Sequence, residues 1–314
     1  MSFKGENNAY QRADLYSDYV EENDPAISKI EESPNGDFKL AFYVPEIFYG
    51  RIIGLKGSTK RGIEETTKAK IAIPSLKDNS NDVVIRAKQR SQVCAALHQI
   101  RQIILSVRKK MRPTHFLAVT LSSGEVQERY VEFKKSILEA QLPGIDEGLF
   151  ISENCLHLTL GVYVLLDDVE QQRALNELEA CRPLLADLKT PFELKVKGLE
   201  VTFDDPSSTR HLYGRIESPE LKKFADKCLA HFIETGLFAS DCFNRDTIQM
   251  HMRIMNVRFR QEAMKPGETF DAREILKRFG DFDFGAAQCK AVHLCVLGSR
   301  GEDKFYRISG SLEF

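Results

Sequence analysis

The sequence predicts an α+β chain of two unlike domains behind an acidic tail, and three observations predict it. Strand-like and helix-like stretches alternate from residue 38 to the C-terminus. The chain has 314 residues, which suits two domains at roughly 150 residues each. Charge is partitioned along it: residues 1–40 carry four Lys/Arg against nine Asp/Glu, residues 51–112 fifteen against four, and residues 113–314 twenty-five against thirty-two. Arg112-Pro113 marks the break between the two domains, because proline ends a helix and restricts the residue before it.

Residues 1–35 are acidic and turn-rich, with apolar residues too sparse for a core, and read as a flexible tail. Within it Tyr10, Leu15, Tyr16, Tyr19 and Val20 are either a short motif that orders on docking or part of a featureless tail. Residues 38–44 (FKLAFYV) are β-rich. Pro45 opens a short helix that stops at Gly54-Leu55-Lys56-Gly57, and a second helix follows with Ser58 or Thr59 as its cap. Residues 70–74 and 82–87 read as strands, separated by a polar loop at 76–81. Residues 88–111 form a long amphipathic helix, with Val93, Ala96, Leu97, Ile100, Ile103, Ile104 and Val107 at helical spacing.

Beyond Pro113 the expected order is strand (114–121), helix (126–141), Pro-Gly turn, and a strand within 154–165. Next come a helix over 168–185, strands near 192–203 and 209–216, a helix over 219–235 and a strand over 249–256. Two terminal strands, AVHLCVLGS and YRISGSLEF, close the chain. Alternation puts His157 and Thr159 on one strand face and Leu156, Leu158 and Leu160 on the other; His251 and Arg253 share a face in the same way.

The order strand, helix, GxxG, helix, strand, loop, strand, helix resembles a type I KH domain over residues 36–112, with IIGLKG similar to that family's lead-in. Two glycines let a tight inter-helix turn bring bare backbone N–H groups against a nucleic-acid backbone, and Lys56 adds charge at its tip. Gly54, Leu55, Lys56 and Gly57 are therefore the candidate nucleic-acid contacts, with single-stranded RNA or DNA as the partner. The net +11 of residues 51–112 agrees with a polyanion partner, with a solvated helical face as the plainer account. Phe42, Ile52, Ile53, Ile71 and Ile73 either fill the core or line the base groove.

Two histidine-bearing strands 94 residues apart, each preceded by strand and helix, resemble the two similar lobes of the two-histidine (2H), LigT-like phosphoesterases over residues 113–314. That resemblance implies His157, Thr159 and His251 as catalytic residues, with HLTLGVYVLL the specific motif. HMRIMN departs from the pattern, because Arg253 stands where the family has Thr or Ser. The tail, KH domain and 2H domain together resemble a subunit of a nuclear complex with a helicase partner. That implies a role in transcription coactivation and alkylation-damage repair, and a location in the nucleus with the cytoplasm as second compartment.

Breaking a phosphodiester requires one group to take a proton from the attacking hydroxyl and another to give a proton to the leaving oxygen. Imidazole, with a reference pKa near 6.5, does either at neutral pH. A hydroxyl two residues on can hydrogen-bond the non-bridging oxygens. Arg253 can bind phosphate bidentately, but it fills space shaped for a hydroxyl and lowers the basicity of a neighbouring imidazole. Two functions follow: a metal-independent phosphodiesterase, or a catalytically impaired subunit whose cleft only binds.

No HExxH, DxD or Cys/His ligand spacing is present, so neither a metal nor a cofactor is assigned. No apolar run reaches the roughly 18–20 residues of a membrane span, and the N-terminus lacks the apolar core of a secretory signal. The seven cysteines include no CxxC pair and read as reduced thiols, which fits cytosol or nucleus. His293 and Cys295 mimic the HxT spacing but lie on a terminal strand and read as core. His98, His115, His211 and His231 read as structural. Arg108-Lys109-Lys110 is a nuclear-localisation signal, a nucleic-acid contact or a solvated helix end.

Overall fold

The computed structural model describes residues 26–75, 80, 82–201, 205–237, 247–260 and 267–314. The five tail residues Tyr10 to Val20 and most of the 76–81 loop lie outside them. The chain divides between Met111 and Arg112 into two compact units.

The first unit is a four-stranded antiparallel sheet covered by helices. Its elements are β1 (Glu31–Glu32), β2 (Phe38–Tyr43), α1 (Tyr49–Ile53), α2 (Ser58–Thr67), β3 (Lys70–Ala72), β4 (Asp82–Ala87) and α3 (Arg90–Arg108), with strand order β1-β2-β4-β3. Leu40, Phe42, Ile71, Val83 and Ile85 from the sheet are buried, as are Val93, Ala96, Leu97, Ile100 and Ile104 of α3. α3 begins with a reciprocal capping box between Gln89 and Gln92. The tail does not extend to residue 35 as expected. Ala26 and Ile30 are buried, and Glu31 and Glu32 pair with Lys39 and Phe38, because the Ser33–Gly36 turn folds the segment back on β2.

The second unit is one eight-stranded sheet. Its elements are β5 (His115–Thr120), α4 (Gly124–Glu139), β6 (His157–Tyr163), α5 (Asp168–Ala180), β7 (Phe192–Glu200), β8 (His211–Glu217), α6 (Pro219–Glu234), β9 (His251–Asn256), α7 (Arg273–Phe279), β10 (Asp283–Cys289), β11 (Ala291–Arg300) and β12 (Tyr306–Glu313). Strand order is β10-β7-β8-β9-β6-β5-β11-β12, all pairs antiparallel, so the histidine strands β9 and β6 lie side by side at the centre. One sheet face, including Leu117, Leu158, Leu160, Met252 and Ile254, joins one core with Phe133 of α4, Leu178 of α5 and Phe224 of α6. The other face carries the polar groups described next.

In this second unit two elements, α7 and β10, have no counterpart in the sequence expectations. DFGAAQC is poor in β-branched residues. It holds its strand through a bulge at Gly285 (φ 85°), where a side chain would run into Glu125; the Glu125 carboxylate accepts from the Ala286 N–H at 2.9 Å. No described helix is long and apolar enough to cross a membrane.

Candidate functional site

In the first unit the GxxG turn joins α1 to α2. Gly54 has φ 72° and ψ 177°, a region open essentially to glycine alone. Lys56 (φ 51°) and Gly57 (φ 79°) are left-handed. The expected Ser58 or Thr59 cap is not formed. Gly57 holds the cap position with no side-chain bond, and Thr59 instead packs over Gly54. Leu55 is 84% exposed at the tip, with Ile47 and Ile53 also exposed. Phe42, Ile52 and Ile71 are core, whereas Ile53 stays open to a ligand.

In the second unit Leu158 pairs with Met252 across β6 and β9. Continuing this antiparallel register by one residue sets Arg253 opposite His157 and His251 opposite Thr159, on the face away from the core. The sheet therefore brings together all four residues singled out in the sequence. Thr120 of β5 flanks His157 on its other side, and Ala118 flanks Thr159. Tyr213 and Arg215 of β8 lie opposite Arg253 and His251.

The two imidazoles sit in unlike surroundings. His157 is 9% exposed and ringed by Phe116 at 5.1 Å and Tyr306 at 5.4 Å between ring centroids. Its Nδ1 lies 2.7 Å from the Cys155 carbonyl, which accepts the ring proton and leaves the Nε2 lone pair free. Burial, aided by the Arg253 and Arg300 guanidiniums, outweighs that bond and brings its pKa down to about 4. His251 is more open and stacks on Tyr213 at 4.0 Å, with its Nδ1 3.7 Å from the Glu200 carboxylate. Arg253 places its Cζ 5.8 Å over Tyr213, and its buried Nε has no hydrogen-bond partner.

Sequence reasoning missed Arg300, Tyr306, Tyr213 and Glu200. Each reaches the sheet face that carries the two histidines through strand pairing rather than through a local motif. His211, expected to be structural, stacks on Tyr213 at 5.8 Å. His115, His231 and His293 bond to Thr114, Glu177 and Ser311, and Cys295 is buried. Among the described residues no cluster of His, Cys, Asp or Glu is placed to hold a metal ion.

Comparison with known proteins finds two family matches, a curated relative and several solved structures. Residues 113–314 match the AKAP7 2'5' RNA ligase-like domain family and residues 39–102 the KH domain family. Activating signal cointegrator 1 complex subunit 1 of Mus musculus is 30% identical over 308 residues, covering 90% of this chain and 85% of the mouse protein. Among solved structures, a Thermus thermophilus protein is 15% identical with TM-score 0.41, covering 64% of this chain and 97% of its own. E. coli LigT complexed with NADP+ is 13% identical with TM-score 0.38, covering 65% and 99%. The two family matches cover the sheet with its paired histidine strands and the GxxG unit before it. The chain thus belongs to the family that joins a KH domain to a 2H phosphoesterase-like, AKAP7 2'5' RNA ligase-like domain.

Proposed function

We propose that this chain is a nuclear, nucleic-acid-binding subunit of a helicase-containing activating signal cointegrator complex, acting in transcription coactivation and alkylation-damage repair. The KH unit holds single-stranded RNA or DNA, and the His157/His251 cleft binds phosphate with little or no hydrolysis. The similarity to the mouse complex subunit supports the assembly. The observation that carries the cleft's role is Arg253 standing across from His157. A hydroxyl there would donate one neutral hydrogen bond. A guanidinium brings a full charge that adds to burial in lowering the basicity His157 needs to accept a proton, while it strengthens phosphate binding.

Hydrolysis without a metal is the second reading, favoured by the free Nε2 of His157. On a phosphodiester that nitrogen takes the proton of the attacking water or hydroxyl, and His251 is placed to give one to the leaving oxygen. A metal-free assay with 2′,3′-cyclic nucleotides and short oligonucleotides separates the two. Arg253→Thr should turn over on the order of 100-fold faster than the unmodified chain, within the range of general acid–base effects, and adding His157→Ala should abolish the gain. Robust turnover by the unmodified chain would establish the hydrolytic reading instead.

A further inference from the structure

The polar face around His157 holds more positive charge than a phosphodiester calls for. Arg253 approaches from β9, with its Nε buried and unbonded. From the opposite side comes Arg300 at the end of β11. Its Cζ lies 4.3 Å over Tyr306, the ring that meets His157 edge-on, and its charge acts on the Cys155 thiol. Both guanidiniums act electrostatically on His157. The acid of this cleft, Glu200, lies instead beside His251, 3.7 Å from its Nδ1. His157 adds no charge of its own at neutral pH, so the charge facing a ligand at this end is that of two arginines.

A bridging phosphodiester carries one negative charge. A phosphate monoester carries close to two at neutral pH, because its second pKa is near 6, and it offers three acceptor oxygens. Planar guanidiniums match such oxygens two at a time. We propose that this cleft receives the terminal phosphate monoester of a nucleic-acid strand, with Arg253 and Arg300 sharing the dianion. The inference rests on the cleft binding nucleic-acid phosphate and names the chemical form it takes. The aromatic rings beside the two arginines, Tyr306 and Tyr213, present faces for the terminal nucleoside.

Titration calorimetry on the full chain tests this with four probes: uridine 3′- and 5′-monophosphate as monoesters, uridine 2′,3′-cyclic phosphate and the dinucleoside phosphate UpU as diesters. At about pH 7.5 at least one monoester should bind about tenfold tighter than either diester, a difference of about 1.4 kcal/mol; whichever monoester wins identifies the strand end. The ratio should fall toward one at about pH 5, where the monoester has lost its second charge. His157, His251 and Glu200, the titratable groups flanking the cleft, act on both ligand types, so the ratio reads the ligand's own charge. Arg253→Thr and Arg300→Gln, each verified as folded by circular dichroism, should each collapse the ratio. Diesters within twofold of both monoesters at pH 7.5, or a ratio untouched by Arg253→Thr, overturns the inference and leaves phosphate binding standing. No binding of any probe at millimolar concentration overturns both.

Discussion

Gly54→Ala should open the nucleic-acid loop while Gly57→Ala leaves it nearly intact. Gly54 occupies φ 72°, ψ 177°, where a non-glycine residue costs about 1–3 kcal/mol. Sterics add to that. A Cβ at Gly54 would lie 2.7 Å from the Thr59 Cβ and 2.8 Å from the Thr59 backbone N, which is fixed in the first turn of α2. Backbone cannot swing aside as a flexible side chain can, so the summed cost is about 3 kcal/mol or more. At Gly57 (φ 79°, ψ 15°) the penalty is the left-handed one, about 1–2 kcal/mol, and the nearest atom, Arg61 Nη1, is 3.7 Å away. Native-state hydrogen exchange over residues 49–67 of the full chain measures the difference. Protection should drop about 100-fold for Gly54→Ala, and about tenfold for Gly57→Ala. Equal losses at the two glycines would refute the steric account of the turn.

Asp at both Leu55 and Lys56 should leave the fold unchanged, because both side chains are exposed and Asp tolerates the left-handed backbone of Lys56. Affinity for single strands should fall at least about tenfold, with the log K against log salt slope shallower by roughly 0.7 for one lost phosphate contact. Unchanged affinity at low salt would remove this loop as the main contact. His157 should stay neutral through the physiological range: its folded pKa of about 4 lies below the unfolded value, so the stability it contributes is complete above about pH 6.5 and is lost as pH falls toward 4. The amount is roughly 3 kcal/mol. Denaturation midpoints from pH 7 to 4.5 should flatten in His157→Gln, and an imidazole NMR signal titrating near 6.5 would contradict the burial argument.

Much of this fold is written locally, and the local part is what the sequence conveys. The 3.6-residue spacing of Val93, Ala96, Leu97, Ile100 and Ile104 anticipates the buried stripe of α3. The alternation around Leu158 and Leu160 anticipates the core face of β6. β10 escaped because its Gly and Ala residues carry no β signal; pairing with β7 and the Glu125 contact hold it in place. The strand at Glu31–Glu32 escaped because two charged residues read as solvent-facing, which they are, while Ala26 and Ile30 anchor the segment. On the histidine-bearing sheet face, Tyr213, Glu200, Arg300 and Tyr306 enter by long-range pairing, which no spacing along the chain encodes.

Long-range pairing also changes what the second motif means. Read along the chain, Arg253 belongs with His251, two residues away. In the antiparallel pair centred on Leu158 and Met252, the third residue of each motif faces the histidine of the other. The hydroxyl at 159 therefore lies across from His251, and the residue at 253 across from His157. Arg253 accordingly adds its charge to the burial that already lowers the basicity of His157. A one-residue slip of either strand would turn that strand's histidine into the core, so the crossing is as fixed as the fold. Substitution at the second motif thus acts on the imidazole of the first. On the proposed reading, one arginine in the second motif, with HLTL itself unchanged, therefore acts at His157, where its charge adds to burial in holding the imidazole neutral.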